Sequence, residues 1–123
     1  MIGVLVVDDH LQFRQAVREL VDSTPGFQVL GEAGSGEEAL RLSEQLDPQL
    51  VLLDVRLPGM DGIETARSMT AASPHPTVFL LSADDRVDLP VALESSGAAT
   101  FVRKRDFCPA ALRARWAEHG AHD

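Results

Sequence analysis

Apolar and polar residues alternate along the chain in blocks that predict five β-strands. Each block is short and rich in aliphatic or β-branched residues, and turn-forming or charged residues bound it. The predicted strands cover residues 3–7, 27–33, 50–54, 77–81 and 99–102. The first, third and fourth are nearly continuous in apolar residues, which is typical of strands buried on both faces.

Longer segments with helical periodicity separate these strands. They predict helices at about residues 10–22, 36–46, 61–72, 87–96 and 109–119, with glycine or proline at most joints. Strict alternation of strand and helix favours a parallel sheet with helices on both faces. We therefore predict one doubly wound (βα)5 domain of the α/β class, with a central five-stranded parallel sheet and helices on both faces.

The composition bounds the classes of function. The chain of 123 residues has a net charge of −8, which argues against direct binding of nucleic acid and suits a cation ligand. No apolar run approaches a membrane span, and the N-terminal segment lacks the features of a signal peptide. The single cysteine, Cys108, fits a reducing cytoplasm. We expect a cytoplasmic domain over residues 1–123, with no effector domain in this chain.

Reactive side chains stand at the carboxyl ends of the predicted strands. Asp8 and Asp9 follow the first strand, and Asp54 ends the third. Ser82 follows the fourth strand, and Lys104 comes just after the fifth. Because ligands of open parallel sheets bind beyond these ends, we predict that the five side chains converge at one edge.

Three carboxylates at one edge need a neutralising partner, and a hard divalent cation is the predicted one. Mg²⁺ suits such a site because it accepts carboxylates, a carbonyl and several waters. It would also stabilise charge on a transferred phosphoryl group. A carboxylate in this setting can act as a nucleophile and form an acyl phosphate, with Lys104 and Ser82 bonding phosphoryl oxygens.

Four segments carry a family resemblance: VVDDH (6–10), LLDVRLPGMDG (52–62), LLSA (80–83) and GAATFVRK (97–104). With them the chain resembles, over about its whole length, the CheY-like receiver domain of two-component response regulators. The resemblance implies a flavodoxin-like form of the predicted fold. The segment FQVLGEAGSGEEAL and the opening DDH are similar to the NarL/FixJ subclass. Receivers of that subclass usually precede a DNA-binding helix-turn-helix.

The resemblance implies a role for each matching residue. Asp54 matches the phospho-acceptor, and Asp8 and Asp9 match the acid pair that organises Mg²⁺. The backbone carbonyl of Arg56 matches a third protein ligand of the metal. The remaining matches are the switch hydroxyl, the lysine of the family and the aromatic switch position, at Ser82, Lys104 and Phe101.

The implied function is that of a phospho-acceptor domain in a phosphorelay. A sensor histidine kinase or a phosphotransfer protein would donate a phosphoryl group to Asp54, and the loops would then rearrange to control an output. In the family, the fourth helix, fifth strand and fifth helix often carry output or dimerisation, so a homodimer through them is a further expectation. We expect no enzymatic activity beyond the domain's own phosphorylation and dephosphorylation.

Each of these residues has a simpler interpretation when it is taken alone. Asp8 or Asp9 could cap the first helix, and Asp54 or Ser82 could serve a turn. Lys104 could be a solvated surface charge. Their order at successive strand ends favours the joint interpretation as a site.

Three departures from the family pattern bear on the switch. Phe101 lacks the hydroxyl of the tyrosine found in many relatives, so core packing and switching both stay open for it. Arg105 follows Lys104, where many receivers have proline. Pro90 removes a helical hydrogen bond, so we predict that the fourth helix is short and begins near Leu89 or Pro90.

Histidine and tryptophan positions are weaker candidates for function. His119 and His122 lie three residues apart, where a metal site is conceivable and a solvated tail is favoured. His10 is expected to face solvent at the start of the first helix. Leu112 and Trp116 form an i, i+4 pair, for which core packing is favoured over a partner surface.

Other classes of function remain as alternatives. The chain could be the receiver part of a NarL/FixJ-type DNA-binding transcription regulator, or a receiver-like module that never takes phosphate. A phosphatase with an aspartate nucleophile would need a second acid that the sequence does not supply. A further hypothesis concerns Arg56 and Asp84, which stand two residues after Asp54 and Ser82. They could pair at the entrance and slow the attack of water on the acyl phosphate.

Overall fold

Strands and helices alternate along residues 1–120, the part of the chain that the computed structural model describes. Within that range there are five strands, β1 to β5, and five α-helices, α1 to α5. The strands span Ile2–Val7, Phe27–Ala33, Leu50–Asp54, Thr77–Ser82 and Thr100–Arg103. The helices span Leu11–Asp22, Gly36–Leu46, Gly62–Thr70, Leu89–Ser96 and Pro109–His119, and a 3-10 turn follows β5 at Lys104–Asp106.

The five strands form one parallel sheet in the order β2-β1-β3-β4-β5. The chain therefore starts in the interior of the sheet, builds β2 on one side and then crosses to β3 on the other. This order confirms the predicted doubly wound, flavodoxin-like α/β fold. It also places a crevice where β1 and β3 lie side by side, because the connections leave them in opposite directions.

The core lies on both faces of the sheet. Val51 and Leu53 of β3 pack in the cluster beneath α2, α3 and α4, and Leu50 and Leu52 pack in the cluster beneath α1 and α5. All four side chains have no exposed surface. Burial on alternate faces explains why β3 is continuous in apolar residues although successive side chains point in opposite directions.

Helix α4 begins at Leu89, the start that was predicted from the position of Pro90. Leu89 and Pro90 occupy its first turn, and the Asp88 carboxylate accepts a hydrogen bond from the Val91 N–H at 3.2 Å. The periodicity alone placed the start two residues too early, at 87. Proline fits the first turn because the N–H that it lacks has no partner within the helix there. Gly97 ends the helix with a φ of 77°, a conformation that glycine adopts without strain.

Helix α5 packs through the predicted pair of side chains. Leu112 is fully buried, and the Trp116 ring meets the Phe27 ring edge-on with centroids 6.3 Å apart. The core-packing interpretation of this pair is therefore confirmed. His119 ends α5, while His122 lies outside the described residues. None of the helices in residues 1–120 is both long and apolar enough to cross a membrane.

Gly62 fixes α3 against the end of β3. Its N–H donates to the Val55 carbonyl at 2.9 Å, and a Cβ at this position would collide with the Asp54 carbonyl oxygen and lie 2.7 Å from the Val55 Cα. Asp61 caps the same helix by accepting from the Glu64 N–H at 2.8 Å. The close approach of backbone to backbone explains glycine at the end of the motif PGMDG.

Gly62→Ala is predicted to lower the free energy of unfolding by roughly 1–3 kcal/mol, because the added methyl group meets rigid backbone. Urea denaturation measures the change. Gly31→Ala is the matched control, since its Cβ would meet only the ends of two flexible side chains, those of Leu46 and Leu5. Equal stability of the Gly62→Ala variant and the wild type would contradict this account.

Candidate functional site

Asp8 and Asp54 lie side by side because the sheet register places them there. Val7 pairs with Leu53, so the next residue of each strand stands at the same edge. Both aspartates are buried, with 3% and 4% of their surface exposed. The two carboxylates therefore lie at the crevice between β1 and β3, as the strand-end argument predicted.

Lys104 neutralises this pair. Its ammonium nitrogen lies 2.7 Å from Asp8 Oδ2 and 3.2 Å from Asp54 Oδ2, and its side chain is only 9% exposed. The Phe13 ring of α1 lies beneath the ammonium, 4.0 Å from nitrogen to centroid, in a cation–π arrangement. Lys104 is thus part of a buried charge cluster, and the interpretation of it as a solvated surface charge is wrong.

Burial raises the pKa of Asp54, because removing a carboxylate from water disfavours its charged form. The Lys104 ammonium and the Arg56 N–H, which is 3.1 Å from Oδ1, lower that pKa and offset the effect only in part. The charge of the neighbouring Asp8 raises it further. Asp54 is therefore a carboxylate whose ionisation the fold opposes, so a cation or proton is favoured beside it.

Asp9 and His10 stand at the rim. The Asp9 side chain is 38% exposed and that of His10 is 78% exposed, with Nδ1 of His10 3.6 Å from Asp9 Oδ1. His10 is the N-cap residue of α1, as expected for a residue that faces solvent at the helix start. Asp8 accepts from the His10 N–H at 2.8 Å, a short local turn, so Asp8 does not fill the N-cap position. Ligand atoms of Asp8, Asp9 and His10 lie within 4.8 Å of one another.

Ser82 ends β4 and is 1% exposed. Its hydroxyl oxygen accepts from the Asp84 N–H at 3.1 Å and lies 3.3 Å from the Asp84 carbonyl oxygen. In this conformation the hydroxyl therefore serves the turn after β4. Phe101 of β5 is half-buried and packs against the cluster beneath α2, α3 and α4. Its role as a switch stays a prediction.

Arg56 and Asp84 form the pair that the sequence suggested. Arg56 Nη2 lies 2.8 Å from Asp84 Oδ2. Arg86 also bonds Asp84, through its Nε at 3.1 Å and its N–H at 2.9 Å. These contacts, chiefly those of Arg86, lower the pKa of Asp84 to about 2. Asp84 is therefore ionised throughout the neutral range.

A cleft of about 420 Å³ lies at this edge of the sheet, and we call it the acidic cleft. Its lining residues are Asp9, His10, Asp54, Arg56, Leu57, Pro58, Ala83, Asp84 and Lys104. It presents a carboxylate and an ammonium side by side, with oxygen ligands at one wall. Such an arrangement can hold a cation and orient an anionic group against the carboxylate.

Sequence reasoning missed the residues beneath the acidic cleft. Phe13 contacts Lys104, and Arg14 donates from Nη1 to the Asp8 carbonyl oxygen at 2.9 Å. Glu32 of β2 accepts from Arg14 Nε at 3.1 Å. The position of Arg14 on the first turn of α1, beside the acid pair, was a usable signal. The sequence gives no such signal for the contact between Phe13 and Lys104, because these two residues lie far apart along the chain.

The fold and the acidic cleft define a class: parallel α/β domains that bind a ligand at the carboxyl edge of the sheet. The family model of the response regulator receiver domain matches residues 4–116. The chain therefore belongs to the response regulator receiver domain family of two-component systems.

Known proteins from several bacteria are similar to the chain. Response regulator GacA of Pseudomonas syringae pv. syringae (strain B728a) is 38% identical over 104 residues, which are 85% of this chain and 49% of GacA. The nitrate/nitrite response regulator NarL of Escherichia coli (strain K12) is 35% identical over 101 residues, which are 82% of this chain and 47% of NarL. The chain thus spans about half the length of these relatives. They confirm the resemblance to the NarL/FixJ subclass.

Solved structures agree with this assignment. The response regulator domain of Thermotoga maritima CheB has a TM-score of 0.85 and 25% identity, covering 100% of this chain and 99% of that one. A two-component response regulator of the LuxR family from Aurantimonas sp. SI85-9A1 has a TM-score of 0.83 and 29% identity, covering 98% and 88%. The CheY-like fold is therefore shared along the length of the chain.

Asp54→Asn is predicted to raise the free energy of unfolding at pH 7 in metal-free buffer. The folded protein has the higher pKa for Asp54, so it binds more protons than the unfolded chain between pH 3.8 and that raised pKa. Wild-type stability therefore falls as pH rises through this window, and the asparagine variant escapes the loss. We expect Tm to rise by a few degrees, the change that about 1 kcal/mol produces.

Thermal unfolding at several pH values checks this prediction. The advantage of Asp54→Asn should shrink as the pH is lowered toward 3.8, the ordinary pKa of the group. Asp88→Asn, at an exposed N-cap where an amide also caps, is the matched control and should change little. A variant less stable than the wild type at pH 7 would contradict the inferred cost of the buried charge.

Proposed function

We propose that this domain accepts a phosphoryl group on Asp54 and switches conformation to control an output. The observation that carries the proposal is the buried Asp54 carboxylate, which lines the acidic cleft with the Lys104 ammonium 3.2 Å away. A sensor histidine kinase or a phosphotransfer protein in the cytoplasm is the donor. Membership of the receiver family supports this choice of reaction and partner.

The residues at the strand ends fit Mg²⁺. Asp8, Asp9 and Asp54 supply carboxylates and Arg56 a backbone carbonyl, which are the oxygen ligands that this ion prefers. One ammonium stands against three carboxylates there, so negative charge remains for a cation to balance. When bound, Mg²⁺ neutralises the acids and offsets charge on the transferred group.

The transfer itself is a displacement at phosphorus. An Asp54 carboxylate oxygen attacks the phosphoryl group of a phosphohistidine, the P–O bond forms as the P–N bond breaks, and the imidazole leaves with the electron pair. Lys104 already lies within hydrogen-bond distance of Asp54, so it donates to a phosphoryl oxygen with little movement. The chain's contribution is chiefly positioning and electrostatic stabilisation.

The switch begins at Ser82. To donate to a phosphoryl oxygen, the Ser82 hydroxyl must give up the hydrogen bond that it donates to the Asp84 carbonyl at 3.3 Å, which loosens the turn after β4. The loops after β3, β4 and β5 then rearrange, and Phe101 repacks against α4. The population shifts toward a state whose surface of α4, β5 and α5 binds an output partner or a second copy of the chain.

A second candidate is a receiver that belongs to a longer DNA-binding transcription regulator. The relatives GacA and NarL support it, since each is about twice as long as the region it shares with this chain. The length of the natural open reading frame decides between this candidate and a separate signalling domain. In either case the acidic domain itself does not hold nucleic acid.

Incubation with Mg²⁺ and acetyl phosphate, followed by intact-mass analysis, tests the acceptor. We expect a gain of one phosphoryl group. The gain should be absent from Asp54→Asn and from a sample treated with EDTA, because the first lacks the nucleophile and the second lacks the cation. A chain that neither gains mass nor binds Mg²⁺ would instead be a phosphate-independent module.

Arg56→Ala is predicted to shorten the lifetime of the aspartyl phosphate. Arg56 and Asp84 both line the acidic cleft, two residues beyond Asp54 and Ser82, so the loss of their ion pair opens a path for water. The exposed position of the arginine limits the effect to about fivefold at most. Mass analysis at intervals after removal of the donor measures the decay.

Arg86→Ala is the control for this experiment. It removes the other guanidinium partner of Asp84 and leaves the Arg56–Asp84 pair in place. Its aspartyl phosphate should decay at the wild-type rate. If Arg56→Ala and the wild type lose phosphate equally fast, the pair does not shield the acyl phosphate.

A further inference from the structure

Arg14 holds the peptide group that joins the two adjacent acids. Its Nη1 donates to the carbonyl oxygen of Asp8 at 2.9 Å, and that carbonyl belongs to the peptide between Asp8 and Asp9. Its Nε donates to Glu32 Oε1 at 3.1 Å, and both side chains are only about one-fifth exposed. A planar guanidinium held at two points is a well-oriented anchor.

Each of the other polar atoms of Asp8 has a hydrogen-bond partner of its own. Its N–H donates to the Ala33 carbonyl at 3.0 Å. Its carboxylate accepts from the His10 N–H at 2.8 Å and from the Lys104 ammonium at 2.7 Å. The carbonyl is the remaining group, and its direction sets the plane of the peptide leading into Asp9.

Asp9 depends on that plane. Its side chain lies at the rim and is 38% exposed, so surrounding packing restrains it less than it restrains Asp8. Rotation of the peptide would move the Asp9 Cβ relative to Asp8 and Asp54. A metal ligand at an exposed rim gains affinity when groups behind it fix its orientation before the ion arrives.

We propose that Arg14 is a positioning residue for the divalent cation: by anchoring the Asp8–Asp9 peptide, it preorganises both carboxylates toward one ion. The inference rests on the proposed function, since it assumes that these acids bind Mg²⁺. Glu32 supports Arg14 by fixing the guanidinium from the neighbouring strand. The contact therefore joins α1, β1 and β2 at the metal side of the acidic cleft.

The chain contains its own comparison. Arg18, one turn further along α1, donates from Nη1 to the other oxygen of Glu32 at 2.6 Å. Arg14 and Arg18 thus make the same link between α1 and β2. Within residues 1–120, Arg14 is the only arginine whose guanidinium donates a hydrogen bond to the Asp8 carbonyl. A difference between the two arginines therefore isolates the contact with the acid pair.

Titration calorimetry with Mg²⁺ on the full chain tests the proposal, using the wild type, Arg14→Met and Arg18→Met. Methionine retains much of the apolar stem and removes the guanidinium. We expect the Kd for Mg²⁺ to rise about tenfold in Arg14→Met, the usual effect of removing a group that orients metal ligands. Arg18→Met should stay within about twofold of the wild type.

Phosphorylation by acetyl phosphate at varied Mg²⁺ gives a second readout. In Arg14→Met the half-saturating Mg²⁺ concentration should rise, while the rate at saturating Mg²⁺ stays near that of the wild type. A purely structural role would lower Tm and leave the half-saturating concentration unchanged. Arg14→Lys keeps the charge but loses the two-armed contact, so its Kd should lie between those of the wild type and Arg14→Met.

Three results would overturn the proposal. One is a wild-type Kd in Arg14→Met, and another is an equal rise in Arg14→Met and Arg18→Met, which would assign the effect to the link with Glu32. If Arg14→Met fails to fold, a wild-type Kd in Arg14→Lys is the third. Failure of the wild type to bind Mg²⁺ would instead overturn the proposed function on which the inference rests.

Discussion

Two carboxylates lie buried side by side at the ends of β1 and β3, and the rest of the site depends on the need to neutralise their charge. Buried charges of one sign raise the free energy of the fold unless a counter-charge accompanies them. Lys104 supplies that counter-charge, and its position explains the turn that follows β5 and the aromatic ring beneath the ammonium. Residues at the ends of β1, β3 and β5 supply the three charges, and α1 supplies the aromatic ring.

Lys104 neutralises the two buried carboxylates only in part. Burial still raises the pKa of Asp54 despite the lysine, so the carboxylate interacts favourably with any additional cation. The groups around it are held by contacts that can be exchanged: Ser82 by a main-chain turn, and Asp84 by two arginines at the surface. A rigid base of buried strands thus carries a rim of exchangeable polar contacts. Contacts at such a rim can open at a lower cost in free energy than those of the buried strands.

Much of this arrangement was predictable because it follows the strands. Alternating periodicity located the strands, the parallel topology brought their ends together, and Asp8, Asp54, Ser82 and Lys104 stand directly at or after those ends. The prediction from Pro90 that α4 is short was correct, because the proline ring constrains the backbone locally. What sequence reasoning missed depends on side-chain direction across the fold. The ring of Phe13 beneath Lys104, and the guanidinium of Arg14 between Asp8 and Glu32, require the crossing of α1 over the sheet, which periodicity does not encode.

The distance in sequence between Asp8 and Lys104, 96 residues, has a consequence for biosynthesis. During translation both aspartates leave the ribosome before the lysine that neutralises them, and the lysine follows the last strand of the sheet. The nascent chain therefore holds two uncompensated acids until β5 docks, and contacts of such long range form slowly. The cluster of Asp8, Asp54 and Lys104 therefore assembles only when β5 joins the sheet, after the other four strands have been synthesised.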